Sequence, residues 1–179
     1  MRILKLLGTV GAAALLAAAV SMPANSAEMA NTQLKDASGK AVGDVDLMQT
    51  PAGVLIKLQI KGLTPGEHAF HVHAVGKCEA PFTSAGGHYD PGPAGNPDPD
   101  ANHPYHMGDL PNLTVGADGK GQLDATTTRV TISDGPLTLL DADGSAIIIH
   151  GNPDQGITGE SKSGVSGGPR VACGVITKK

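Results

Sequence analysis

The chain is written in the rhythm of strands. VGDVDLMQ (42–49) and GVLIKLQIKGL (53–63) alternate apolar with polar residues, HAFHVHAV (68–75) does the same around its histidines, and SAIIIH (145–150) and RVACGVIT (170–177) are short β-branched runs. Period-two alternation buries one face of a strand and wets the other, and β-branched side chains suit a pleated surface. Turn chemistry separates the runs: DASGK at 36–40, LTPGEH at 63–68, GADGKG at 116–121, SDGP at 133–136 and DADGS at 141–145. Short strands punctuated this often predict an all-β sandwich or barrel. With Phe70, Phe82, Tyr89 and Tyr105 as its aromatic residues, the core must rest on aliphatic side chains.

The first 27 residues stand apart. MRILK gives a short positive start, LLGTVGAAALLAAAV an apolar run, and SMPANSA a small-residue exit with a cut near 26/27. This is the layout of a signal peptide, and the run is short for a bilayer core about 30 Å thick. The expectation is a single domain over 28–179, exported to the periplasm or secreted, with no membrane span in the mature chain. Without Arg2 and Lys5 the 13 basic residues fall to 11, against 17 acidic ones. A duplex nucleic-acid partner needs the opposite sign, so none is expected. Cys78 and Cys173 are the whole cysteine inventory. In an oxidising compartment they either pair or stay as two buried thiols. On the chain-entropy model a pair spanning most of the domain contributes up to about 4.7 kcal/mol.

Two stretches break the rhythm and are long enough to be functional rather than connective. They run over 77–111 and over GNPDQGITGESKSGVSGGP, 151–169. The first contains HYDPGPAGNPDPDANHPYHMGD (88–109), where three histidines and four aspartates are separated by five prolines. It is either an acidic surface loop or a stiffened scaffold for a metal. On the strand at 68–75, His71 and His73 point to one face and Val72 to the other; their bases are about 7 Å apart, so the rings can converge on one ion. Two exposed strand histidines would read the same. His150, however, ends the apolar strand AIIIH, and His88 follows a turn that begins at Cys78. Imidazole suits copper and zinc, and the mixed imidazole and carboxylate set offered by His103, His106 and Asp109 suits zinc. Six of the seven histidines thus fall into two neighbouring candidate sites. His68, three residues from His71, faces the other way and reads as a histidine bonded to backbone.

In order along the chain, HAFHVHAVGKC, FTSAGGHYDP, HMGDLPNL, IIIHGNPD and GGPRVACGVI resemble the secreted bacterial copper/zinc superoxide dismutases, over nearly the whole span from 30 to 177. The resemblance implies a Greek-key β-barrel or sandwich of about eight antiparallel strands, with two long functional loops and one disulfide. It implies disproportionation of superoxide by a redox-cycling copper beside a zinc. His71, His73 and His150 match the copper ligands and His88 the histidine shared by both metals. His106 and Asp109 match zinc ligands, and Asp154 a carboxylate that links ligands of the two metals. Arg170 matches the arginine that guides superoxide to copper, and Cys78 and Cys173 the intrasubunit disulfide. The family includes monomers and dimers, so the resemblance admits a homodimer.

The chain departs from the family at the remaining zinc ligand. In many relatives a further histidine stands earlier in this loop, where this chain reads N-P-D. The substitute is His103, held extended by Pro104; the alternatives are an incomplete site or a carboxylate from Asp98 or Asp100. Lys162 is either a helper to Arg170 or a solvated lysine. Two rival functions are a copper- or zinc-carrying protein on the same fold with little dismutase activity, which loss of a copper ligand would favour, and an electron-transfer copper protein, which needs a thiolate.

Overall fold

The computed structural model describes residues 27–91, 106–156 and 166–179. These residues form β1 (Met29–Lys35), β2 (Ala41–Thr50), β3 (Gly53–Lys61), β4 (Gly66–His68), β5 (Phe70–His73), a 3-10 turn (Thr83–Ala85), β6 (Leu113–Val115), β7 (Lys120–Thr127), β8 (Ala146–His150), β9 (Arg170–Val175) and β10 (Thr177–Lys178). Among the described residues no helix is long and apolar enough to cross a membrane.

The strands pair antiparallel in the order β4-β6-β7-β3-β2-β1-β9-β8-β5, with β10 added to β1. The two ends of this ladder, β4 and β5, are consecutive in the chain. Ala69 joins them: its N–H donates to Asn152 O at 2.8 Å, and its carbonyl accepts from His150 N–H at 2.9 Å. One extended segment therefore pairs with β6 through its first half and with β8 through its second, and the sheet becomes a nearly closed barrel. This also explains why ten strands are found where about eight were expected. The segment at 66–73 counts as two, and β10 is a two-residue clip.

The core follows the alternation. Val54, Ile56, Leu58 and Ile60 of β3 point inward, and Val45 and Leu47 of β2 lie opposite Leu58 and Ile56. Each such buried side chain contributes about 1.5–3 kcal/mol. Phe70 and Tyr89 are the aromatic members of this cluster. β5 and β8 depart from the pattern, since every residue of both is buried. Their inward residues Phe70, Val72, Ile147 and Ile149 join the main core; outward, Ala146 and Ile148 form a second cluster with Phe82, Ala85 and Cys173. A disulfide joins Cys78 to Cys173, with Cα atoms 5.6 Å apart, and ties the loop that follows β5 to β9. The two cysteines are therefore paired rather than free.

Candidate metal centre

The outward face of β5 carries His71 and His73, opposite Ile148 and Ala146 of β8. The free edge of β5 is covered by loop backbone. Ala74 N–H donates to Gly87 O at 2.9 Å, Tyr89 N–H to Val72 O at 2.8 Å, and Val72 N–H to Gly108 O at 2.9 Å. Gly108 N–H closes the set on Tyr89 O at 2.8 Å. These bonds put His88 beside His73 and Asp109 beside His71. The glycine in HMGD is required by this close approach, because a Cβ at Gly108 would lie 2.3 Å from Val72 O.

Four histidines meet above this edge. His71, His73, His88 and His150 are buried, and each offers a ring nitrogen within 4.8 Å of the others. One nitrogen of each ring is anchored. His71 Nε2 lies 2.8 Å from Asp154 Oδ2, His73 Nδ1 3.0 Å from Gly86 O, His88 Nδ1 2.7 Å from Asp109 Oδ1, and His150 Nδ1 3.0 Å from Gly168 O. For His71, His73 and His150 such anchoring sets the ring orientation and leaves the second nitrogen as a ligand, whereas the partner of His88 Nδ1, Asp109, is itself a candidate ligand. Nδ1 of His71 is that second nitrogen, and it is buried with no hydrogen-bond partner. A buried imidazole nitrogen left so is costly unless a cation takes it up. The donor set fits copper or zinc.

A second cluster, His88, His106 and Asp109, shares His88 with the first. The rings of His88 and His106 are 4.9 Å apart, and Asp109 Oδ1 lies 3.5 Å from His106 Nδ1. Asp109 Oδ2 accepts His106 N–H at 2.9 Å. This mixed set of imidazole and carboxylate fits zinc. His103, Asp98, Asp100 and Lys162 lie outside the described residues. His68 stays apart: its ring nitrogens lie 2.7 Å from His150 O and 2.8 Å from Thr64 O, leaving none for a metal.

Electrostatics follow from burial. Burial pushes His73 well below the ordinary imidazole range, with the charges of His88, Arg170 and His150 acting the same way. Burial also brings His88 to about 4, against the hydrogen bond to Asp109, and His150 to about 3. These rings are neutral near pH 7, the form that binds metal. For Asp109 burial acts upward, but hydrogen bonds from His106 and His88 outweigh it and hold the carboxyl well below its usual range.

Arg170, at the start of β9, donates from Nη1 to Phe82 O at 2.8 Å and from Nη2 to Gly86 O at 2.7 Å. Gly86 O also faces His73, so the guanidinium sits against the histidine cluster. Phe82 holds φ 74, an uncommon conformation for a bulky residue, as it presents that carbonyl. One contact was not visible in the sequence: Arg129 Nη2 donates to the carbonyl of Asp109.

The structure brings together every candidate copper ligand, so the rival that a lost copper ligand would favour gains no support. Both cysteines are in the disulfide, so no thiolate is present for an electron-transfer copper site. Comparisons with known proteins agree with the geometry. The family described as copper/zinc superoxide dismutase (SODC) matches residues 41–176. Superoxide dismutase [Cu-Zn] of Caulobacter vibrioides is 44% identical over 153 residues, covering 82% of this chain and 84% of that protein. Copper/zinc superoxide dismutase of Brucella abortus superposes with a TM-score of 0.67 at 31% identity, covering 84% of this chain and all of that one. A superoxide dismutase-like protein of Bacillus subtilis gives 0.70 at 35% identity, over 81% of this chain and 96% of that one. The chain belongs to the copper/zinc superoxide dismutases, enzymes that disproportionate superoxide with copper and zinc.

Proposed function

We propose that His71, His73, His88 and His150 hold the copper, that His88, His106 and Asp109 hold the zinc with His103 completing the set, and that Arg170 receives the substrate. One observation carries this reading: four buried rings, each anchored through one nitrogen, meet within 4.8 Å. When bound, copper would supply the one-electron redox change by which two superoxide anions and two protons become oxygen and hydrogen peroxide, and zinc would add a fixed positive charge beside it. The rest is the work of side chains. His73 and His150 keep fixed rings through the carbonyls of Gly86 and Gly168. His88, whose Nδ1 faces Asp109 of the zinc set, takes up a proton at Nε2 and gives it to the peroxide product. Arg170 offers a local positive charge to an anion, although the chain as a whole carries −4; local field rather than net charge decides steering into a cleft. Residues 1–27 serve as an export leader, and 28–179 work as one domain in the periplasm or outside the cell, where a disulfide persists.

Metal content by mass spectrometry beside superoxide turnover tests the reading, on the unmodified chain and on His103→Ala. The unmodified chain should carry copper and zinc with high turnover, and the variant should lose zinc alone. Full metal with negligible turnover in the unmodified chain would overturn these roles. Zinc retained by the variant would remove His103 from the set. Sedimentation of the metal-loaded chain separates a monomer from a homodimer.

A further inference from the structure

Asp154 stands where the two clusters meet. Its Oδ2 is 2.8 Å from His71 Nε2, and ligand-capable atoms of His71, Asp109 and Asp154 all lie within 4.8 Å of one another. Its charge also reaches His106. Two carboxylates therefore share one small, partly buried volume, and Asp109 opposes the charge on Asp154. Holding Asp154 at this spot needs a restraint. The segment that carries it lies between β8 and β9 and is tied through Gly151 and Asn152 to Pro169 and Gly167, while Asp154 itself bridges Ser166.

Asn112 supplies a restraint. Its Nδ2 donates to Asp154 O at 2.9 Å, and its Oδ1 accepts Asp154 N–H at 2.9 Å. Both backbone polar groups of one residue are thus gripped by one side chain. Asp154 Oδ1 in turn accepts Gly156 N–H at 2.7 Å, which sets the carboxylate so that Oδ2 faces His71. Asn112 stands three residues after Asp109 and just before β6. The grip therefore joins the segment of one cluster to the residue that braces the other. A primary amide fits this task because it donates and accepts at once. Aspartate in its place would keep the acceptor, set an oxygen against the Asp154 carbonyl and add a third carboxylate.

We propose that Asn112 is the positioning residue that holds Asp154 between the two metal subsites, so that the filling of one subsite is felt at the other. This rests on the ligand assignment above. Zinc alone is titrated into the metal-free chain against a chromophoric chelator, for the unmodified chain, Asn112→Ala, Asn112→Asp, Asp154→Asn and the double variant Asn112→Ala with Asp154→Asn. Either change at 112 should weaken zinc binding roughly tenfold to a hundredfold, the usual cost of losing a group behind a ligand. The double variant should bind no more weakly than Asp154→Asn alone, because both changes act through one carboxylate. The paramagnetic resonance spectrum of the copper form gives a second readout. Addition of zinc should shift it in the unmodified chain and shift it less in either variant at 112. Asn112→Asp, nearly the same shape, serves if Asn112→Ala does not fold. Unchanged zinc affinity in both variants, additive losses in the double variant, or an undiminished spectral response overturns the proposal while the ligand assignment stands. An unmodified chain that takes up no zinc overturns both.

Discussion

On β2 and β3 the outward residues Asp44, Asp46, Lys57 and Gln59 are exposed, whereas on β5 and β8 the outward residues His71, His73, Ala146 and Ile148 are as buried as the inward ones. The strands are of one kind, and what differs is the cover. Loops lie over β5 and β8, tied down by the disulfide, by the Gly87, Tyr89 and Gly108 backbone bonds, and by Arg170. The candidate metal centre is therefore built on the outside of the barrel rather than in its core. β5 holds two rings at a set spacing, β8 ends in a third, and the covering loops bring the remaining candidate ligands and the carbonyls that orient the rings.

The largest contrast between the two sides should appear on acidification of the metal-free protein. Burial holds His73 well below 6.5, His88 at about 4 and His150 at about 3. Below 6.5 the unfolded chain binds protons that the folded chain refuses, so stability is lost as pH falls from 6.5 towards 4. Each such histidine adds up to about 1.4 kcal/mol per pH unit to the slope. His106 works against this trend. Burial acts downward on it, but the hydrogen bond it donates to Asp109, together with the charges of Asp109, Asp90 and Asp154, outweighs burial and raises it. Bound metal should move the loss to lower pH, because a nitrogen on a metal takes no proton until the metal leaves. Urea midpoints between pH 7 and 4 check this. A flat profile in the metal-free protein would break the link between the covered face and acid sensitivity.

A matched pair of glycines tests the same comparison sterically. A Cβ at Gly43, buried on β2 away from the covering loops, would lie 2.4 Å from Gln59 O; at Gly108, in the covering loop, 2.3 Å from Val72 O. The intrusions are alike, so Gly43→Ala and Gly108→Ala should each cost about 1–3 kcal/mol in urea denaturation. Only Gly108→Ala should also lose zinc and turnover, since Gly108 seats Asp109 beside His71. Metal loss in both variants would mean that the two sides are not separate.

The same division governs how much of the molecule was legible in the sequence. β2, β3 and β5 could be read from period-two alternation, and β8 and β9 from β-branched runs. β1 and β7 could not, because their inward residues include Ala30, Thr32, Ala125 and Thr127, too small or polar to mark a buried face. The break at Ala69 arises from closure of the barrel, a non-local demand that no short window carries. Histidines and Asp109 were visible as candidates because few other side chains suit a metal. Of the groups that orient them, Asp154 was legible through the resemblance, while the carbonyls of Gly86 and Gly168 were hidden, since they are backbone and carry no residue signature. Asn112 sits inside the motif HMGDLPNL, but its partner is 42 residues away in the chain.

Smaller effects sharpen the boundary. Arg170→Ala should leave both metals bound, lower turnover by roughly tenfold and weaken its dependence on ionic strength, as expected when a steering charge is removed. Rate constants unchanged across ionic strength would remove that role. The smallest effect belongs to the open side. Lys57 Nζ lies 3.8 Å from Asp124 Oδ2, and both side chains are more than half exposed, at 56% and 67%. Solvent screens such a pair, so Lys57→Ala should change stability by under about 1 kcal/mol. It should leave metal content and the salt dependence of turnover as they were. Lys57→Ala removes as much positive charge as Arg170→Ala does, so a matching change in salt dependence would show that net charge steers the anion. An effect confined to Arg170 assigns steering to the charge beside the histidines.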